Sequence, residues 1–270
     1  MALVDEMRHA GVVRVSLTGG EPLLHESCLE LVEALSRAGI AVSLNSNGEL
    51  VPRHAARLAG GLSGLVVSID GGEAAHDEVR GRGSWGRAVA GARAARRAGI
   101  PVALHTVVTA ANLDQTGAVL ALADELDGRA GFTPIEDVPA MERRELEALR
   151  PDPDGWRALV DDLLARRRAG DRRIQNSPAG LRYLRNWPVH APIRCSAGRI
   201  YARIEPDGTM FGCGNLVLEA GPPSVADTSF ADAFAALPSR DCRACWCDTR
   251  VEMNLILAGS PSAIRAARAR

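Results

Sequence analysis

Short apolar runs and longer amphipathic stretches alternate along the first half of the chain. Residues 12–17 (VVRVSL) are rich in β-branched and apolar side chains, the make-up of a buried strand. Helical spacing follows, with Cys28, Leu31, Val32 and Leu35 on one face of a helix that Gly39 closes. Runs at 40–45 (IAVSLN), 65–70 (LVVSID), 101–108 (PVALHTVV) and 131–135 (GFTPI) repeat the strand signature. Helices are predicted over 2–10, from about residue 52, over 85–98 and over 113–126. Residues 71–84, rich in Gly, Glu and Arg, read as a long polar loop. Strands separated by helices of this length pair in parallel, so the fold class is α/β.

Beyond residue 135 the rhythm stops. Residues 136–154 are charged and Pro-containing, a linker with a short helix, and helices are predicted over 153–168 and 178–186. Residues 199–213 read as a hairpin with Pro206-Asp207-Gly208 at the turn. A short helix over 229–237, a cysteine-rich loop and a final helix complete the chain. The basic tail reads as a frayed helical end rather than a nucleic-acid contact.

Composition narrows the chemistry. A net charge of −1 gives no reason to invoke nucleic acid or an acidic membrane. No apolar run is long enough to span a bilayer, and the first residues lack a signal-peptide core, so a cytoplasmic protein is expected. All 32 Lys+Arg residues are arginine, which removes lysine-bearing phosphate loops and lysine Schiff bases. Of the six cysteines, Cys28 lies on an apolar helix face and is expected in the core. Cys195, Cys213, Cys242, Cys245 and Cys247 crowd the last third, which in a cytosolic chain points to metal rather than disulfides.

The turn after the first strand is TGGEPLL. Gly19 and Gly20 allow close backbone approach, and Pro22 fixes the turn. Such turns usually cradle phosphate, but Glu21 puts a negative charge there and favours an ammonium-bearing ligand.

TGGEPLL, SLNSNG and VVSIDGGEAAHDEVRGRGSW, in that order after three successive strands, resemble the radical SAM superfamily. The resemblance implies a partial (β/α)6 barrel of parallel strands, with the first strand missing. It implies S-adenosylmethionine (SAM) as cofactor, its amino group held by Gly19, Gly20, Glu21 and Pro22. Ser68 and Arg80 match positions that hold the SAM carboxylate, a suitable task for a guanidinium fork. Asn47 and Asp70 match strand-end positions facing the cofactor.

CSAGRIYARIEPDGTMFGC followed by CRACWC resembles the auxiliary-cluster region of the same superfamily, the SPASM domain or its shortened twitch form. Cys195 enters the hairpin, Cys213 leaves it, and Cys242 and Cys245 form a Cys-x-x-Cys knuckle, a set suited to a tetrahedral metal or an iron–sulfur cluster. One auxiliary 4Fe-4S cluster is expected on these four residues, in a small β-hairpin and cysteine-rich domain. Zinc on the same four remains the alternative. Cys247 is a spare, an alternate ligand or a substrate-facing thiol. The implied divisions are a barrel at 1–135, a helical region at 136–190, the cluster domain at 191–258 and a tail at 259–270.

The family's defining Cys-x3-Cys-x2-Cys loop does not occur in the sequence, whose first helix matches the one that follows that loop. An incomplete chain is expected rather than a cluster-free protein, because the missing strand would leave an apolar edge bare. A second 4Fe-4S cluster is implied only with that segment. The resemblance implies hydrogen-atom abstraction from a peptide or small molecule, with flavodoxin or ferredoxin as electron donor and no catalytic triad of cysteines in these residues. A non-catalytic homologue that binds SAM or a peptide, with a structural metal, is the other reading.

Overall fold

A computed structural model describes residues 2–136, 141–189, 191–216, 221–238, 242 and 244–268. Parts of the expected linker (137–140), the division at 190, the cysteine-rich loop (239–241 and 243) and the last two tail residues lie outside them. Helix α1 (Ala2–His9) leads into β1 (Arg14–Leu17), α2 (Cys28–Arg37), β2 (Ala41–Ser46), α3 (Val51–Ala59) and β3 (Leu62–Ser68). Then come α4 (Glu73–Arg80), α5 (Ser84–Arg97), β4 (Val102–Val108), α6 (Thr116–Glu125) and β5 (Arg129–Pro134). Among the described residues these strands form one parallel sheet in the order β1-β2-β3-β4-β5, as the alternation predicts.

The two faces of the sheet differ because the side-chain period is two. Val42, Leu44, Leu65, Val67, Val102 and Leu104 are buried on one face. Val32, Leu35, Leu58, Val89, Ala92, Leu120 and Cys28 of the helices belong to the same core. The alanines of α5 permit close packing, and Gly91 closer still. A Cβ on Gly91 would stand 2.0 Å from the Gly48 carbonyl oxygen, so this helix fixes the loop after β2. The second face is polar and partly open. It carries Ser43, Asn45, Ser68 and His105, with Ser68 in register with His105 and His105 with Gly131.

The expected loop at 71–84 is largely helical. Residues 73–80 (EAAHDEVR) are good helix formers between Gly72 and Gly81, and only His76 is buried, so no apolar stripe announces α4. Beyond the sheet lie α7 (Arg143–Leu149), α8 (Pro153–Arg168) and α9 (Pro178–Leu184). Residues 173–176 cover the outer edge of β5, with Ala130 N–H donating to the Arg173 carbonyl at 2.7 Å.

The C-terminal hairpin is shorter than expected, with β6 (Arg203–Ile204) and β7 (Met210–Phe211) of two residues each. Its turn region bonds elsewhere: Met210 N–H donates to the Pro223 carbonyl at 2.8 Å, and Val225 N–H to that of Gly208 at 2.9 Å. Met210 packs with Phe230 and Ala233 of α10 (Phe230–Ala235), and Leu3, Met7 and Val12 join this smaller core. Two helices end the described chain, α11 (Asp248–Leu257) and α12 (Pro261–Arg268). The expected frayed tail is therefore a docked helix, with Ala263 and Ala266 buried. Among the described residues no helix is long and apolar enough to cross a membrane.

Candidate active site

The C-terminal ends of β1, β2 and β3 carry the residues singled out above. Glu21 caps the 3₁₀ turn Pro22–Leu24, its carboxylate accepting from Leu23 N–H at 3.1 Å. Ser46 Oγ lies 3.0 Å from both carboxylate oxygens, and Asn47 N–H donates to one of them at 2.7 Å. These donors fix Glu21 in direction while leaving the residue half-buried. Gly19 and Gly20 beside it are exposed, with nothing within 4 Å of where a Cβ would stand. A fixed carboxylate next to open backbone suits an ammonium group and repels a phosphate.

Asn47 acts here through its backbone, since its side-chain oxygen accepts from Glu49 N–H at 2.9 Å and closes the turn. Ser46 makes the side-chain contact to Glu21, and it was not among the predicted residues. Only the pairing of β1 with β2 brings it there.

Ser68 ends β3 on the polar face. Asp70 is 3% exposed, its carboxylate is ion-paired with Arg80, and its N–H donates to His76 Nδ1 at 3.1 Å. Burial pushes His76 below the ordinary histidine range, against the pull of Asp70. Arg80 stands on α4 rather than in a loop, with its guanidinium turned onto Asp70. Glu21, Ser46 and Asn47 therefore form one group, and Asp70 and Arg80 a second.

His105 on β4 faces Asp248, the first residue of α11, with Nε2 3.4 Å from Oδ1. A Cβ on Gly131, across the β4–β5 register, would stand 3.0 Å from Asp248 Oδ2, so the absent side chain gives the carboxylate its place. Thr133 Oγ1 donates to the Trp246 carbonyl at 2.8 Å and accepts from Asp248 N–H at 3.1 Å, which seats the start of α11 on β5. Burial works against charge on His105, but the Asp248 carboxylate, with Asp70 and Glu136, outweighs it and raises its pKa. Burial likewise opposes ionisation of Asp248, and His105 outweighs it and holds the carboxyl below its usual range.

Cys195, Cys213, Cys242 and Cys245 line one cavity of about 200 Å³, together with Glu136, Tyr201 and Arg250. Arg250 Nη1 lies 3.2 Å from Cys213 Sγ, and Asn215 N–H donates to the same sulfur at 3.3 Å. The other arm of Arg250 pairs with Glu136, which also accepts from Asn215 Nδ2 at 3.2 Å. Burial pushes the Cys245 thiol up to about 11. Cys247 caps α11, and burial pushes its thiol up to about 12. Among the described residues, no three His, Cys, Asp or Glu side chains are placed to hold a single metal ion. Cys28 is buried in the main core, as its helix position predicts.

Comparison with known proteins gives this geometry its context. The family model described as the radical SAM superfamily matches residues 1–123. An AdoMet-dependent heme synthase of Nitratidesulfovibrio vulgaris is 33% identical over 260 residues, covering 86% of this chain and 68% of the relative. The chain belongs to the radical SAM superfamily. Mycofactocin maturase MftC of Mycolicibacterium smegmatis is 30% identical over 240 residues, covering 81% of this chain. The matched region spans only 59% of that maturase's own length. In fold, the crystal structure of Streptococcus suis SuiB bound to precursor peptide SuiA superposes with a TM-score of 0.70 at 16% identity, covering 86% of this chain and 56% of that one. The sheet and its helices are thus those of a radical SAM partial barrel, and the Glu21 group lies at the C-terminal ends of its strands, where barrels of this kind build sites. Membership implies SAM and a four-iron cluster as cofactors.

Proposed function

We propose that the protein is a radical SAM enzyme that binds SAM at the ends of β1–β3 and carries an auxiliary 4Fe-4S cluster on Cys195, Cys213, Cys242 and Cys245. Its reaction class is hydrogen-atom abstraction from a peptide or small molecule. The observation that carries the reading is the gathering of those four thiols in one cavity, bounded by Glu136 just past β5. A four-thiol donor set fits an iron–sulfur cluster. A structural zinc would use the same four sulfurs, at about 2.3 Å from one centre.

On the sheet, Glu21 and the open Gly19-Gly20 backbone take the SAM ammonium, with Pro22 setting the turn. Ser68 offers a hydroxyl to the carboxylate, and Asn47 holds Glu21 in place. Arg80, which Asp70 anchors, is assigned to the same carboxylate. SAM on a reduced four-iron cluster would supply the one-electron chemistry of the superfamily, and the residues here would position it. The maturase name of one relative and the precursor peptide in the SuiB complex support a peptide substrate. The heme synthase name supports a small molecule. Flavodoxin or ferredoxin is the proposed electron source. The proposed divisions are 1–135, 136–190, 191–258 and 259–270, with α11 seated on β5 and α1 packed into the hairpin's core across them.

Iron and sulfide analysis of anaerobically reconstituted protein tests the reading. About four irons per chain are expected, and near zero after Cys213→Ala with Cys245→Ala. One zinc and no iron in the parent protein would overturn it. Because these 270 residues contain no Cys-x3-Cys-x2-Cys, the polypeptide by itself is expected to release no 5′-deoxyadenosine from SAM after dithionite reduction. Mass spectrometry of the quenched mixture checks this.

A further inference from the structure

We propose that Arg250 sets the reduction potential of the auxiliary cluster, and that Glu136 holds it in position to do so. The inference rests on the reading that the four thiols carry a cluster, and it adds a role for two residues that no sequence motif marks. Arg250 and Glu136 each have side chains only 16% exposed, so the pair works where water screens little. One guanidinium arm reaches Cys213 Sγ at 3.2 Å and the other is committed to Glu136. Asn215 repeats the pattern on a smaller scale, with its N–H on the same sulfur and its side-chain amide on the same carboxylate.

The physical consequence concerns charge. Reducing a thiolate-ligated cluster adds one negative charge to a site already rich in sulfur. A buried cation and hydrogen bonds to a ligating sulfur stabilise that added charge, and they raise the potential. Arg250 provides both at Cys213, and the backbone of Asn215 provides a second donor. Glu136 acts in two senses. It aims the guanidinium, since a long side chain with one free arm would otherwise sample many rotamers. Its own negative charge also tempers the cation. Glu136 follows β5, at the same end of the sheet as Glu21 and Asp70, so the carboxylate stands between the barrel and the thiol cavity.

The test is an EPR-monitored redox titration of the anaerobically reconstituted full chain, with iron content and circular dichroism recorded for every variant. Arg250→Gln is expected to titrate at a more negative potential than the parent protein. Arg250→Lys, which keeps the charge but not the fork, should fall between the two. Glu136→Gln keeps an acceptor for Arg250, removes the opposing charge and should titrate at a more positive potential. A role confined to folding would lower iron content without moving the midpoint of the loaded fraction. An unchanged midpoint in Arg250→Gln at parental iron content overturns the inference and leaves the cluster itself standing. A parent protein that binds no iron removes the cluster reading, and this inference with it, so the two failures are told apart.

Discussion

Replacing Glu21 by Gln should weaken SAM binding tenfold to a hundredfold while leaving the fold in place. The side chain now accepts from Leu23 N–H, Ser46 Oγ and Asn47 N–H. A glutamine keeps one acceptor oxygen, for either Leu23 N–H, now on Oε1, or Asn47 N–H, now on Oε2, and Ser46 Oγ can accept from its amide N–H, so one hydrogen bond of the turn is lost while the sheet keeps its shape. What disappears is the negative charge opposite the ligand's ammonium. Hydrogen bonds to charged groups contribute about 1.5–3 kcal/mol each, which sets the expected loss. Isothermal titration with SAM measures it, and 5′-methylthioadenosine, which lacks the amino acid portion, serves as the control ligand. Its affinity should be the same for both proteins. Parallel losses for the two ligands would mean that Glu21 shapes the turn without meeting the ammonium.

The reach of the sequence can be judged on this same site. Glu21 stood out because a carboxylate at a Gly-Gly turn conflicts with phosphate binding, a clash visible in five residues. Ser46 did not, because nothing local distinguishes it from Ser43 three residues earlier. Its importance arises from parallel pairing of β1 with β2, a contact between segments far apart in the chain. The strands were legible for the opposite reason. Their apolar alternation and the amphipathic helices between them are local patterns, and together they specify a parallel sheet. Helix α4 escaped notice because it buries little more than His76. A helix read as loop put Arg80 in the wrong setting, and its pairing with Asp70 followed from the helix.

The C-terminal third shows the same division. Cysteine spacing drew attention to the four thiols, and they do share one cavity. The polar residues around them, Glu136, Asn215 and Arg250, belong to three separate segments and carry no spacing signal. The docking of α11 on the sheet was equally hidden. Thr133, His105 and Asp248 look ordinary one by one, and they acquire meaning only when Gly131 leaves room for the carboxylate. Close approach of two elements often depends on what a glycine lacks, and sequence reading has no access to the neighbour that fills the gap.

Removing Asp248 should therefore cost stability and also reverse the sign of its pH dependence. In the parent protein the folded-state pKa of His105 is raised, with Asp248 the main cause of the rise. A raised pKa means that the folded state holds more protons, so this stabilisation is full below about pH 6.5 and is lost as pH rises through the folded value. Asp248 is shifted the other way, below its usual range. Its contribution is full above about pH 4 and is lost as pH falls through the depressed value. The pair thus has full weight between about pH 4 and 6.5.

In Asp248→Ala the dominant opposing influence on His105 is burial, which favours the neutral ring. The unfolded state then binds more protons near neutrality, and stability should rise with pH where the parent's falls. The loss at pH 6 should be about 2–3 kcal/mol, the cost of breaking a buried pair discounted because the His105 side chain is 30% exposed. Urea unfolding at intervals from pH 5.5 to 8 measures both slopes. Parallel curves for the two proteins would show that Asp248 serves α11 as a helix-start residue alone, with no electrostatic hold on His105.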